Sequence, residues 1–140
     1  MAEPHVDVPN EARVTFRVVS DDLDPKQITE RMGLTADEQH RKGDLRRKGR
    51  NRDWYYPRGG WHLESQLPPT ARVEEHLSHL LDRLEGTVDV IAKLIAEGYQ
   101  VDFYIGYFSN QGQGGPLFSA ELLRRLANFG AEVGLDIYHG

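Results

Sequence analysis

The chain has 140 residues, of which 39% are hydrophobic, 28% charged and 9% aromatic, the balance of one globular domain and too apolar for a disordered chain. At this length folding buries roughly two-thirds of the surface that the extended chain exposes, so a core forms without disulfide or structural metal. There are no cysteines, which excludes a disulfide framework, a thiolate nucleophile, a cysteine-based zinc site and an iron–sulfur cluster. With no run approaching ~18 apolar residues, the expectation is a cytoplasmic protein without a membrane span.

Residues 1–11, with Glu3, Pro4, Asp7 and Pro9, read as a flexible segment ahead of a single domain over 12–140. Ala12 to Ser20 sets Val14, Phe16 and Val18 against Arg13, Thr15 and Arg17, the period of a half-buried strand. Asp24 before Pro25, with Gln27 three residues on, has the form of an N-cap, a first-position proline and a capping-box partner. A short helix is predicted there, closed by Gly33. Thr35 to Lys42 is polar and reads as an edge strand, and a basic loop follows over about residues 41–58. Trp61 to Glu64 alternates again until Pro68 and Pro69 stop it, and Thr70 is placed to cap a helix.

Val73, Leu77, Leu80, Leu81 and Leu84 hold helical spacing, as do Val88, Ile91, Leu94 and Ile95. Gly86 between them costs about 1 kcal/mol relative to alanine inside a helix, so two helices meeting at a bend are predicted. Val101 to Phe108 is apolar on both faces and reads as a central strand covered on both sides. SNQGQGGP from Ser109 is a loop, Ser119 caps a helix ending at Gly130, and Val133, Leu135 and Ile137 alternate as the last strand. Strand, loop, helix and glycine over 12–33 recur over 101–130. The expected fold is therefore α+β, a mostly antiparallel sheet built from two β-α-β units, a ferredoxin-like variant with helices on one face.

The charges are uneven. Between Arg41 and Arg58 stand eight basic residues against two acidic ones, an excess of +6 in a chain whose net charge is −5, leaving −11 elsewhere. Cations interleaved with Trp54, Tyr55 and Tyr56 suit single-stranded nucleic acid, where charges neutralise phosphates and rings stack on bases. They equally suit an acidic protein partner, where arginine and aromatics anchor interfaces, and the acidity elsewhere favours the protein. Arg46, Arg47, Arg50, Arg52, Trp54 and Tyr56 are the candidate residues. The plain alternative is a solvated loop punctuated by glycines, with Trp54 and Trp61 in the core.

The loop from Ser109 to Pro116 follows a predicted central strand and precedes a helix, where backbone amides can hold an anion. Asn110, Gln111, Gly112, Gln113 and Gly114 are its candidate ligand residues, although the spacing fits neither a dinucleotide fingerprint nor a P-loop. The alternative is a turn whose glycines supply unusual backbone angles. His76 and His79 with Glu75 could offer a metal one helical face, and Asp21, Asp22 and Asp24 invite a calcium reading, but neither has the full ligand pattern, and no metal or cofactor is expected. His40 and His62 would approach each other if their strands pair, and with Asp44 would form an acid–base set. No serine sits in a nucleophile elbow.

DDLDP at Asp21, MGL at Met32, RKGD at Arg41, the Trp61 strand, the leucine-rich helical pair, FYIGYFSNQGQGG from Phe103 and LDIY at Leu135 together resemble a bacterial family, domain of unknown function 4279. The likeness spans about residues 12–138. It implies a small bacterial α+β domain, usually alone on its chain, with no activity to carry over; some small domains of this sort act as immunity proteins beside toxins. The basic stretch between Asp44 and Trp54 does not look like part of the shared pattern. The reading is a non-enzymatic binding module for a protein partner. The alternatives are a small anionic-ligand protein or enzyme using the 109–116 loop, and a nucleic-acid binder using 41–58.

Overall fold

The computed structural model describes residues 10–110 and 115–139. In chain order the elements are β1 (Glu11–Ser20), α1 (Pro25–Met32), β2 (Glu38–His40), β3 (Leu45–Arg47), β4 (Trp54–Tyr55), β5 (Gly59–Glu64), α2 (Val73–Arg83), α3 (Val88–Ala96), β6 (Gln100–Ser109), α4 (Ala120–Phe129) and β7 (Glu132–His139). They form one α+β domain. A five-stranded sheet runs β2-β5-β1-β6-β7, and β3 and β4 form a separate two-stranded ribbon. β1 lies antiparallel to both β5 and β6, and β2 antiparallel to β5, but β7 runs parallel to β6. The sheet is thus mixed, because the crossover through α4 brings the chain back in the same direction.

Local chemistry accounts for the helices. Asp24 accepts from Lys26 N at 3.1 Å ahead of Pro25, Ser119 accepts from Leu122 N at 3.1 Å, and left-handed Gly33 and Gly130 close α1 and α4. Gly86 separates α2 from α3 as its position predicts. The start of α2 differs from the expectation: Arg72, not Thr70, is the N-cap, and its N–H donates to Glu75 Oε1 at 3.1 Å. A turn begun by Pro68 keeps Thr70 outside the helix, with Ala71 N bonded to Pro68 O at 2.9 Å.

One face of the sheet carries the core. Val14, Phe16 and Val18 of β1, Trp61 and Leu63 of β5, and Phe103 and Ile105 of β6 are buried with Ile28, Leu77, Leu80, Ile91, Leu94, Leu126 and Phe129 of the helices in one cluster. Trp61 fixes the α1 contact by donating its indole N–H to Thr29 Oγ1 at 3.0 Å. Among the described residues no helix lies over the other face, which corrects the expectation that β6 is covered on both sides. Its apolar look in the sequence comes from Tyr104 and Phe108, which lie on that uncovered face, while Asp102 is sealed by Arg17. No helix among the described residues is long and apolar enough to cross a membrane. The first nine residues of the expected flexible segment lie outside the described residues, whereas Asn10 is fastened to β6, donating to Tyr107 Oη and accepting from Asn110 N, both at 3.0 Å.

Candidate functional site

The basic stretch is not a plain loop. It is an arm made of β3 and β4, rooted where Gly43 N donates to Tyr56 O and Tyr56 N donates to Asp44 O, both at 2.9 Å. At the arm's far end a Cβ on Gly49 would stand 2.0 Å from the carbonyl oxygen of Arg52, so only glycine fits the turn. The short strands were hidden in the sequence because neither shows alternation, both of their faces being exposed.

The cations of this stretch divide in two. Those at its ends are tied to the body: Arg41 donates to Asp24 at 2.7 Å, Arg58 to Asp21 at 3.2 Å and to Gln100 at 3.0 Å, and Lys42 stands 3.9 Å from Asp21. These contacts also occupy Asp21 and Asp24, two of the three aspartates that invited a calcium reading. Arg46, Arg47, Lys48, Arg50 and Arg52 have no carboxylate at ion-pairing distance among the described residues. Three of them lie over rings instead: Arg46 is 5.7 Å from the centroid of Tyr56, Arg47 is 5.4 Å and Arg52 is 3.8 Å from that of Trp54. Trp54 and Tyr55 are exposed at 41% and 57%, so of the two tryptophans only Trp61 is core.

At the root of the arm the paired strands bring His40 and His62 together, as their sequence positions allowed. His40 stacks on Tyr56 at 3.5 Å and meets His62 edge-on at 5.6 Å. Both lie over Gly60, where a Cβ would come within 2.7 Å of the His40 ring. Tyr56 donates its hydroxyl to Glu38 at 3.3 Å, and His62 Nδ1 is 3.9 Å from the same carboxylate. Burial lowers the pKa of both imidazoles, against the opposing pull of Glu38, and so favours their neutral form. Asp44 does not complete an acid–base set, because its carboxylate accepts from Arg41 N at 2.8 Å and reaches His40 only through its charge.

Beside the arm lies the uncovered sheet face. Arg17 holds Asp102 with two bonds of 2.8 Å and lies 4.5 Å over Tyr104, whose hydroxyl donates to Asp136. Phe108 and Tyr138 stack across the β6–β7 pair at 4.8 Å. Sequence reasoning missed Arg13, Arg17, Tyr104, Phe108 and Tyr138, since only the strand register sets them on one face. The alternation of Arg13, Thr15 and Arg17 was the one visible signal. Of the glycine-loop candidates, Asn110 directly follows β6 and donates its backbone N–H to Asn10, while Gln111, Gly112, Gln113 and Gly114 lie outside the described residues. His76 is buried and bonded through Nδ1 to Ser65 Oγ at 2.7 Å, and no group of three or more metal-ligating side chains occurs among the described residues.

The sequence profile of the family described as Domain of unknown function (DUF4279) matches residues 10–140. No curated protein and no solved structure matches the chain.

Proposed function

The chain belongs to the DUF4279 family, and on that premise we propose that it is a non-enzymatic binding module whose β3–β4 arm holds an acidic segment of a protein partner, as an immunity-type protein of the bacterial cytoplasm would. We read its fold as a ferredoxin-like variant, on the support of the antiparallel order β2-β5-β1-β6, with α4 and β7 added at one edge.

The observation that carries the functional reading is the split among the cations. A basic segment that served only its own fold would spend its charges on nearby carboxylates, as Arg41, Lys42 and Arg58 do. The arm's outer cations are left for something else, and rings hold three of them in place, which lowers the entropy lost on binding. Single-stranded nucleic acid is the second reading, drawn from the same interleaving of cation and ring. It is disfavoured because Arg52 already covers a face of Trp54 at 3.8 Å, so a stacking base has to displace it.

The test is fluorescence anisotropy at low salt, with a labelled glutamate-rich peptide and a labelled single-stranded oligonucleotide of equal charge. Replacing Arg46, Arg47, Arg50 and Arg52 by glutamine should weaken peptide binding more than about tenfold, since several exposed charges at roughly 0.5 kcal/mol each exceed about 1.4 kcal/mol together. Binding of neither probe ends the reading. Tighter binding of the oligonucleotide replaces it with the second.

A further inference from the structure

Gly106 sits in the middle of β6, opposite Arg13 of β1 and Asp136 of β7. Glycine inside a strand costs about 0.5–1 kcal/mol relative to alanine and leaves nothing to pack. Such a residue usually answers a demand of the backbone or of close packing, and here neither exists. Its φ is not in the left-handed region. A Cβ built on it would meet nothing nearer than Arg13 O and Phe108 Cε2, both at 3.8 Å, an ordinary van der Waals contact. Gly60 is different, because His40 occupies the space over it. What the absent side chain of Gly106 does leave is a floor with room for a Cβ, although the backbone there is itself buried.

That floor belongs to a cleft of about 390 Å³ between the uncovered sheet face and the arm, within the size range of small-molecule sites. Phe108 and Tyr138, stacked at 4.8 Å, stand on one side of Gly106, and Tyr56 and His62 also line the cleft. The polar groups behind the floor are already satisfied: Arg17 by Asp102, and Tyr104 by Asp136. Two cations remain for a ligand. Arg46 has no carboxylate partner among the described residues, and Arg13 has only Glu64, at 4.0 Å, with Arg13 itself 73% exposed. Glu38 and Glu64 on the same lining oppose a bare anion and so leave selection to the rings.

We propose that this cleft binds a small planar anion, an aromatic ring bearing a carboxylate or a phosphate, with the ring over Gly106 and the anion between Arg13 and Arg46. The missing side chain admits the ring, as glycine does where a ligand approaches a strand closely. The guanidiniums fix its orientation through charge-assisted hydrogen bonds. The inference shares Arg46 with the protein-partner reading, but Gly106 and Arg13 belong to the cleft alone, so Gly106→Val tests the cleft without touching the arm.

The test is titration calorimetry with nucleoside 5′-monophosphates as ring phosphates, indole-3-acetate as a ring carboxylate, and inorganic phosphate as the ringless control. At least one ring anion should bind, more tightly than inorganic phosphate, and whether phosphates or carboxylates bind names the anion. Gly106→Val should lower that affinity at least tenfold while leaving the Tm equal or higher, and should leave acidic-peptide binding by the arm unchanged. Arg13→Gln with Arg46→Gln should lower ring-anion affinity to a similar degree. The proposal is overturned if no ring anion binds, if inorganic phosphate binds as well as they do, or if Gly106→Val binds them normally. A Tm lowered by Gly106→Val also overturns it, because the glycine would then serve the fold.

Discussion

Phe16 and Arg17 are neighbours in β1 and point to opposite sides of the sheet. Phe16 is fully buried, edge-on to Trp61 at 6.4 Å and tilted against Phe103 at 5.3 Å. Arg17 is held by directed bonds to a single carboxylate and lies over a tyrosine ring. The helix side is stabilised by area removed from water, which is large and indifferent to direction. The uncovered side is stabilised by a few polar contacts that contribute less and specify more. A surface of the second kind keeps its shape without a covering layer, as a recognition face must.

The largest expected effect comes from breaking the helix side. Phe16→Ala removes a ring from the centre of the core and should cost about 3–5 kcal/mol, from lost transfer energy and a residual cavity. Chemical denaturation followed by circular dichroism measures it, and a loss under about 1.5 kcal/mol would mean that the core closes over the gap. Next comes Arg17→Met, which keeps the aliphatic stem and leaves Asp102, only 6% exposed, without its cation. A loss of about 1–3 kcal/mol is expected, the cost of leaving a buried polar group unsatisfied. Adding Asp102→Leu should recover most of it, since a buried pair can be exchanged for apolar groups at little cost while half a pair cannot. No recovery in the double variant would show that the pair also organises Tyr104 and its neighbours.

The contrast between the faces also explains what could be read in advance. The caps Asp24 and Ser119, the closing Gly33 and Gly130, and the break at Gly86 are settled within a few residues, so the sequence displays them. So is the apolar side of β1, because burial by helices imposes a period. The uncovered face has no such imprint. Tyr104 and Phe108 look like core until the register with β1 and β7 puts them beside Arg17 and Tyr138. The arm was legible as charge but not as a ribbon, because β3 and β4 bury neither side and so carry no alternation. The candidate cleft lies between these two parts: Arg46, Tyr56 and His62 of its lining were visible as charge, ring and histidine, and Arg13, Thr15 and Arg17 as an alternation, but nothing in the sequence showed that the register gathers them around Gly106.

The smallest effect belongs to the junction of the two regions, where His40 and His62 join the arm to the sheet. Both imidazoles have pKa values lowered chiefly by burial, Glu38 acting the other way on each. For His40, Asp44 also opposes the shift while Arg46 adds to it, and for His62, Arg17 and His40 add to it while Asp102 opposes it. A histidine whose folded pKa is depressed binds its proton more readily in the unfolded chain, so its stabilising contribution is complete above the ordinary value of 6.5 and declines as the pH falls below it. His76, lowered by burial in the same way, contributes in the same window. Denaturation midpoints should therefore fall modestly from pH 7 to pH 5, above the range in which the carboxylates titrate. Replacing His40 and His62 by glutamine should flatten that slope in part, leaving the contribution of His76. An unchanged slope in that variant would mean that the arm's junction titrates alike in the folded and unfolded chain, and that the stack of His40 on Tyr56 holds as well with a charged ring as with a neutral one.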